Sequence, residues 1–90
     1  AWMFDTYSMQ KGRPIPGVVT GKPVGIGGSL GRNESTGLGV VFCIEDLVGY
    51  LRAKGKAAPA MDGTTTVSVQ GFGKVGLIAA QELHRRGLKV

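Results

Sequence analysis

Apolar residues recur at three- and four-residue steps along the middle of the chain, a spacing that gathers them on one face of an α-helix. The pattern predicts a helix over residues 36–54, with Asn33 or Ser35 as its N-cap and Gly55 in the position of a C-terminal cap. Cys43 lies on the apolar stripe of this helix, so we expect it to be a core residue.

A strand, a glycine-rich turn and a second helix are predicted to follow in immediate succession. Residues 64–70 form a β-branched run, which predicts a strand. The turn, residues 71–76, reads Gly-Phe-Gly-Lys-Val-Gly and leads into an amphipathic pattern that predicts a helix over residues 75–86. Residues 88–90 begin another apolar segment typical of a strand. This order is the opening of a βαβ unit, so the predicted fold class is α/β.

The first third of the chain has weaker patterns. Residues 1–11 are predicted to form one end of a helix, with Gly12 as its terminator. Glycine and proline then dominate as far as residue 39, which indicates a loop. Within that loop, residues 18–20 predict a short strand.

Glycine is unusually frequent, with sixteen in ninety residues, where average usage is roughly 7%. The glycines follow no three-residue period, which excludes a collagen-like triple helix, and the hydrophobic fraction of 42% argues against a disordered chain. One cysteine cannot form an internal disulfide, and no apolar run reaches the roughly 18 residues of a membrane span. Without a signal peptide or an initiator Met, the sequence is expected to be an internal segment of a longer cytoplasmic protein.

The net charge of +5 arises from basic and acidic residues scattered along the chain. The one adjacent basic pair, Arg85 and Arg86, falls in the last turn of the predicted second helix, where cations complement the helix dipole. A nucleic-acid surface needs clustered cations interleaved with stacking aromatic rings. We therefore expect neither a nucleic-acid partner nor a membrane partner.

The glycine-rich turn has the spacing of a dinucleotide-binding motif, and its position between a strand and a helix is the context that such a motif requires. In that motif Gly71 makes the tight turn, Gly73 lets the backbone approach the pyrophosphate, and Gly76 allows close packing of helix and strand. An ordinary strand-to-helix turn is the alternative, whereas a Walker-type phosphate loop is disfavoured because no Gly-Lys-Ser/Thr is present. The candidate cofactor-binding residues of the turn are Gly71, Phe72, Gly73, Lys74, Val75 and Gly76.

A second candidate site lies in the glycine-rich loop before the first long helix, where Arg32 and Thr36 occur four residues apart. A guanidinium matches a carboxylate in bidentate fashion, and a helix N-terminus adds a favourable potential for an anion. This predicts that Arg32 binds a carboxylate and that the Thr36 hydroxyl caps the helix or donates to a ligand amide. A solvated surface arginine and a purely capping threonine are the alternatives.

Five motifs, in this order and spacing, together cover essentially the whole chain and resemble the family of glutamate, leucine, phenylalanine and valine dehydrogenases. The step Leu30-Gly31-Arg32 is similar to the glutamate branch, since the leucine and phenylalanine enzymes usually carry Gly-Asp-Pro-like residues there. The five motifs are Asp5-Thr6-Tyr7-Ser8, Val19-Thr20-Gly21-Lys22-Pro23, Gly27-Gly28-Ser29-Leu30-Gly31-Arg32, Ser35-Thr36-Gly37-Leu38-Gly39 and Gln70-Gly71-Phe72-Gly73-Lys74-Val75-Gly76.

The resemblance implies that residues 1–28 end a substrate and oligomerisation domain and that residues 29–90 begin a Rossmann-type NAD(P)-binding domain. It also implies reversible oxidative deamination of L-glutamate to 2-oxoglutarate and ammonium by a homohexamer. By the same resemblance Arg32 binds the substrate near its α-carboxylate, Thr36 binds the nicotinamide carboxamide, and Ser29 supports the hinge between the domains. The turn would carry the pyrophosphate of NAD or NADP, and glycine rather than alanine at its third position favours NAD.

Several features of the resembling family have no counterpart in these ninety residues. Its catalytic lysine and aspartate lie upstream of the position of Ala1, and Asp5 does not match that aspartate, so we name no catalytic residue and expect the isolated chain to be inactive. Lys74 stands where the family usually has Asn. His84 is expected at the surface, and no residues have metal-ligand spacing.

Two alternative functions stay open at this point. A leucine- or phenylalanine-type dehydrogenase would share most of the five motifs. A non-catalytic nucleotide-binding module would use only the glycine-rich turn.

Overall fold

The computed structural model describes all residues from Ala1 to Val90 and contains three α-helices and two short 3₁₀ helices. The chain divides into two compact units, Ala1–Asn33 and Glu34–Val90. The domain boundary predicted after residue 28 stays a prediction, because a compact unit within these ninety residues does not by itself define a domain. None of the helices is long and apolar enough to cross a membrane. The helices are α1 (Trp2–Lys11), α2 (Arg32–Ala53) and α3 (Lys74–Arg85), and the 3₁₀ helices are Pro16–Val18 and Val24–Ile26.

The first unit consists of α1 and the loop with both 3₁₀ helices. The helix predicted over residues 1–11 is confirmed, and none of its residues is buried within the chain. The strand predicted over residues 18–20 is wrong, because Pro16–Val18 forms a 3₁₀ turn and only Val19 is extended. Pro16 fixes the φ angle that a tight turn needs, and this local preference outweighs the β-branched side chains beyond it.

The long helix α2 begins four residues before its predicted start. Asn33 and Ser35 therefore lie inside the helix, so both N-cap predictions are wrong. The apolar spacing detects only the amphipathic part of a helix, whereas the first turn of α2 is polar and is favoured by Glu34 beside the positive end of the helix dipole.

Cys43 is exposed, so its assignment to the core is wrong. The core face of α2 passes through Val41 and Val48, which are buried. Cys43 follows Val41 by two residues, which is a rotation of about 200° around a helix and points to the opposite side. The apolar stripe of α2 is wide enough to continue around the helix, and only one part of it is covered within this unit.

All three helices end in the same way, with a glycine at positive φ directly after the last turn: Gly12, Gly55 and Gly87. In α3 the amide of Gly87 donates to the carbonyl of His84 at 2.9 Å, and the amide of Leu88 donates to that of Leu83 at 3.2 Å. This is the Schellman arrangement, in which a left-handed residue closes the helix. The glycine terminators predicted at Gly12 and Gly55 are confirmed, and Gly87 ends α3 in the same way.

The core of the second unit lies where α3 packs against α2. Val41 of α2 is completely buried and belongs to one cluster with Ala79, Leu83 and Leu88. The partly buried Met61 and Val67 pack against this cluster. Leu88 therefore serves both the helix ending and the core, which ties the segment after α3 to the helix itself.

No regular strand forms over residues 64–70 or 88–90, so the predicted strands are not confirmed. The two segments instead meet in one isolated parallel bridge between Thr66 and Lys89. The Val67 amide donates to the Lys89 carbonyl at 2.7 Å, and the Lys89 amide donates to the Thr65 carbonyl at 3.1 Å. A β-ladder extends only as far as both segments supply paired residues. These two segments form one bridge, so no regular strand is established. The parallel direction is the one that a βαβ connection produces.

Candidate functional site

The glycine-rich turn, residues 71–76, has a different geometric requirement at each of its three glycines. Gly71 has a φ angle of +87°, which other residues rarely adopt. A Cβ atom on Gly76 would lie 2.2 Å from the Gly71 carbonyl oxygen and 3.5 Å from Cγ1 of Val69. A Cβ atom on Gly73 would meet nothing within 4 Å. The first and third glycines are therefore required by the fold itself, whereas the second leaves open space in front of the backbone.

The turn and the start of α3 border a pocket of about 530 Å³. Gly73 is the N-cap of α3 and offers no side-chain hydrogen bond to the first turn, which contains no acidic residue. The first amide groups of a helix have no acceptors within the helix and carry the positive end of its dipole. The exposed Lys74 adds a full positive charge at the same place. An anionic group of the size of a pyrophosphate fits this set of donors.

Of the seven residues predicted to bind the cofactor, five line this pocket, all of them in the glycine-rich turn, whereas Thr36 does not. Phe72 does not line it and is 71% exposed. Val40 of α2 forms part of the opposite wall. The binding roles of these residues stay predictions, and the structure provides a pocket in which the five can act together.

Helix α2 approaches the start of α3 at Gly37, the residue that follows Thr36. A Cβ atom on Gly37 would lie 2.6 Å from Cβ of Ile78 and 3.1 Å from the Val75 carbonyl oxygen. The backbone of α2 is thus in direct contact with the first turns of α3. The segment that carries Thr36 is thereby held beside the helix that begins at the glycine-rich turn.

Arg32 lies in a smaller pocket of about 180 Å³ in the first unit, together with Ser29 and Lys22. The Lys22 ammonium donates to the carbonyl oxygens of Pro16, at 2.6 Å, and Val19. Among these residues Arg32 has the side chain that matches a carboxylate, whereas the Lys22 ammonium is bound to backbone carbonyl oxygens.

Lys22 is a structural residue of this pocket, a role that its sequence motif does not indicate. Its carbonyl oxygen would lie 1.8 Å from a Cβ atom on Gly28, so the loop after the second 3₁₀ helix is pressed against it. The amide of Gly28 donates to the Pro23 carbonyl at 3.0 Å.

Arg86 forms an ion pair between the two helices that the sequence did not indicate. Its Nε lies 2.9 Å from Oε1 of Glu45 on α2, and its Nη2 lies 3.3 Å from Oε1 of Glu82 on α3. Arg85 instead pairs with Glu82 on the same helix at 2.6 Å. The hydrogen bonds from Arg85, together with the charges of both arginines, hold the pKa of Glu82 below its usual range despite partial desolvation.

The remaining reactive side chains lie apart from both pockets. Cys43 and His84 are exposed, and neither lines the glycine-turn pocket or the Arg32 pocket. No cluster of three or more His, Cys, Asp or Glu side chains in residues 1–90 has the geometry of a metal site.

Comparison with known proteins identifies the family of the chain. The sequence profile described as "Glutamate/Leucine/Phenylalanine/Valine dehydrogenase" matches residues 27–90, a range that includes the glycine-rich turn, Thr36 and Arg32. The chain belongs to this family. The family resemblance predicted from the five motifs is thereby confirmed.

Individual relatives narrow the similarity to glutamate dehydrogenases. The chain is 50% identical over 80 residues to a glutamate dehydrogenase of Thermotoga maritima. The aligned region covers 89% of this chain and 18% of the relative. It is 41% identical over 92 residues to an NADP-specific glutamate dehydrogenase of Synechocystis, covering 99% of this chain and 19% of the relative. It is 43% identical over 90 residues to an NAD-specific glutamate dehydrogenase of Halobacterium salinarum, covering 100% of this chain and 19% of the relative.

A solved structure shows the same similarity in three dimensions. The Leu-bound form of the hetero-hexameric glutamate dehydrogenase from Thermus thermophilus matches with a TM-score of 0.79 and 42% identity. The match covers 97% of this chain and 19% of that chain. The present sequence thus spans about a fifth of the length of the proteins that it matches.

Proposed function

We propose that this chain is the part of an NAD(P)-dependent glutamate dehydrogenase that joins the end of the substrate domain, residues 1–28, to the start of a Rossmann-type dinucleotide-binding domain, residues 29–90. The proposed reaction is the reversible oxidative deamination of L-glutamate with water to 2-oxoglutarate and ammonium. The observation that carries the proposal is the glycine-rich turn, in which Gly73 faces open space at the start of a helix whose first turn is cationic. The parallel bridge across α3 supports a βαβ arrangement around it.

The bound dinucleotide would supply the hydride acceptor of the reaction. In this proposal the amide groups at the start of α3 bind its pyrophosphate, and the Lys74 ammonium adds a point charge. The Thr36 hydroxyl orients the nicotinamide carboxamide, which selects the face of the ring that meets the substrate. Arg32 holds the substrate near its α-carboxylate through the paired N–H groups of its guanidinium. Residues that move protons lie outside this set.

The third glycine of the turn is the feature on which we base a proposal for one of the two dinucleotides. Relatives of both specificities match this chain to a similar degree. We propose NAD, because Gly76 rather than alanine occupies the third position of the motif. We also propose a cytoplasmic homohexamer; the structural neighbour is a hexamer too, but one of non-identical subunits.

Steady-state assays of the full-length protein that carries this chain test the proposal. We expect oxidation of L-glutamate with NAD+ as the preferred acceptor, and little turnover of L-leucine or L-phenylalanine. Preference for either of these apolar amino acids would replace the proposal with a leucine- or phenylalanine-type dehydrogenase. Dinucleotide binding without turnover of any amino acid would instead indicate a non-catalytic nucleotide-binding module.

A further inference from the structure

Helices α2 and α3 meet along a line of contacts that are of a different chemical kind at each end. Near the glycine-rich turn the contact is Gly37 against Ile78, with no side chain on the α2 residue. In the middle, Val41 packs in the core cluster that includes residues of α3. At the far end, Glu45 of α2 pairs with Arg86 at the end of α3. We refer to this line as the α2–α3 seam, whose α2 residues are Gly37, Val41 and Glu45.

The ionic end of the seam is the most specific of its contacts. The Arg86 guanidinium is held by carboxylates from both helices, Glu45 at 2.9 Å and Glu82 at 3.3 Å, and its Cζ lies 5.5 Å from the centre of the Phe42 ring. Its side chain is only 20% exposed, and its Nη1 is buried without a hydrogen-bond partner. An arginine in this environment has a narrow range of positions, because its planar fork must satisfy partners in fixed directions.

The glycine end of the seam lacks such a constraint. A backbone without a side chain presents a smooth surface, so Gly37 permits close approach to Ile78 without interlocking with it. Sliding of α2 along α3 is therefore opposed mainly by Val41 and by the Arg86–Glu45 pair. Glu45 follows Thr36 by nine residues, which is about 13 Å along a helix. A displacement at the ionic end is carried to Thr36 because α2 is a continuous helix between them.

We infer that Arg86 and Glu45 are positioning residues for the dinucleotide, acting at a distance from it. The pair fixes the axial position of α2 on α3 and so sets where the Thr36 hydroxyl lies relative to the glycine-rich turn. This inference rests on the proposed function, in which Thr36 binds the nicotinamide half and the turn binds the pyrophosphate. Neither member of the pair lines the glycine-turn pocket.

The two halves of the ligand provide a readout that separates positioning from general stability. ADP carries the pyrophosphate but no nicotinamide, so its binding depends on the turn and not on Thr36. NAD+ needs both at the correct separation. Loss of the ion pair should therefore weaken NAD+ binding and leave ADP binding nearly unchanged, whereas loss of folded protein would weaken both.

The experiment is isothermal titration of the full-length protein with NAD+ and, separately, with ADP (NADP+ and 2′-phospho-ADP if the wild type prefers that cofactor). For Arg86→Gln we expect the Kd for NAD+ to rise about fivefold or more, a typical size for coupling between separated sites, and the Kd for ADP to change less than about twofold on the same scale. Glu45→Gln, which preserves the shape of the side chain, should also raise the Kd for NAD+ and leave the Kd for ADP nearly unchanged. The increase in the Kd for NAD+ should be smaller than for Arg86→Gln. The double variant should bind NAD+ no more weakly than Arg86→Gln alone, because both changes break one pair.

Arg85→Gln is the matched control. It removes the same charge one residue earlier, but Arg85 pairs only within α3 and its side chain is 72% exposed, so both ligands should bind as in the wild type. Equal weakening of NAD+ and ADP by Arg86→Gln and Glu45→Gln, or wild-type affinity for both ligands, would overturn the inference. A wild-type protein that binds no dinucleotide would overturn the proposed function and this inference with it.

Discussion

The backbone of Gly37 packs directly against the side chain of Ile78, so that a Cβ atom on Gly37 would lie 2.6 Å from Cβ of Ile78. The partner atom is next to the main chain, and it has little freedom to move aside. The contact brings α2 and α3 together beside the glycine-rich turn. Helices approach this closely only where one of them lacks a side chain.

The substitution Gly37→Ala should destabilise the chain. The new methyl group overpacks the contact with Ile78, and we expect the free energy of unfolding to fall by about 1–3 kcal/mol. Gly49→Ala is the control in the same helix, because Gly49 is exposed and has no neighbour within 4 Å of a Cβ position. Alanine there should raise the free energy of unfolding by up to about 1 kcal/mol. Urea denaturation followed by far-UV circular dichroism measures both, and equal effects of the two variants would contradict the prediction.

Two substitutions in the glycine-rich turn should separate folding from binding. Gly76→Ala places a methyl group 2.2 Å from the Gly71 carbonyl oxygen, so the midpoint of thermal unfolding should fall and dinucleotide binding should be lost. Gly73→Ala meets no protein atom within 4 Å and should leave the midpoint within about 2 °C, since open positions tolerate a methyl group.

Dinucleotide binding by Gly73→Ala should nevertheless weaken about tenfold or more, because the methyl group occupies the space through which the pyrophosphate approaches. Thermal unfolding and titration with NAD+ on the same full-length preparations make the comparison. Wild-type affinity in Gly73→Ala would show that the ligand does not approach the turn at this residue.

Lys74 places a cation against the positive end of the α3 dipole, where no carboxylate pairs with it. Lys74→Gln should therefore raise the free energy of unfolding by a few tenths of a kcal/mol. The same change should weaken dinucleotide binding about fivefold at low ionic strength and reduce the dependence of the Kd on salt, because the ammonium charge no longer contributes. Lys56→Gln removes an exposed charge outside the pocket and serves as the control. Equal salt dependence in the two variants would argue against a phosphate contact by Lys74.

The chain should lose stability in acid through Glu82. The Arg85 hydrogen bonds and the charges of Arg85 and Arg86 lower the pKa of this carboxyl in the folded chain. A group with a lowered folded pKa stabilises the fold above its unfolded pKa, about 4.3 for glutamate, and that stabilisation is lost as the pH falls through the lower folded value.

Urea midpoints should accordingly be level between about pH 7 and pH 5 and should decline below about pH 4. Part of the decline should be absent in Glu82→Gln, which cannot titrate at this position. Asp46→Asn, which removes an exposed carboxylate of α2, controls for the loss of one acidic charge. Identical acid profiles for the wild type and Glu82→Gln would refute the assignment.

The helix endings were predictable from the sequence because they depend on single residues. Gly12, Gly55 and Gly87 each adopt a positive φ that glycine reaches without strain, and no distant contact is needed to specify it. The first turn of α2 was missed for the opposite reason, since its polar residues carry no apolar periodicity. The strands were overestimated because a β-branched run such as residues 64–70 reports a preference, whereas a strand also requires partners.

The residues of the candidate site differ in the same way in whether the sequence alone predicts their roles. Gly71 and Gly76 were predictable because each has a local geometric task that only glycine fulfils, whereas the role assigned to Gly73 concerns the ligand and stays a prediction. The Arg86–Glu45 pair was not predictable, since it joins residues 41 positions apart in the sequence through the packing of two helices. The role of Lys22 was hidden likewise, because its partners are backbone carbonyl oxygens that have no signature in the sequence.

The Schellman ending of α3 determines where the chain can accept inserted residues. Leu88 is held by the Leu83 carbonyl and by the core, and the next residue, Lys89, forms the parallel bridge to Thr66. Side chains alternate between the two faces of an extended segment, so one inserted residue would exchange the buried and exposed positions beyond it. Insertions between Leu83 and Lys89 should therefore be rejected during divergence of the sequence, whereas an insertion after the exposed Ala57 would leave the hydrogen bonds of Gly55 and Lys56 at the end of α2 in place.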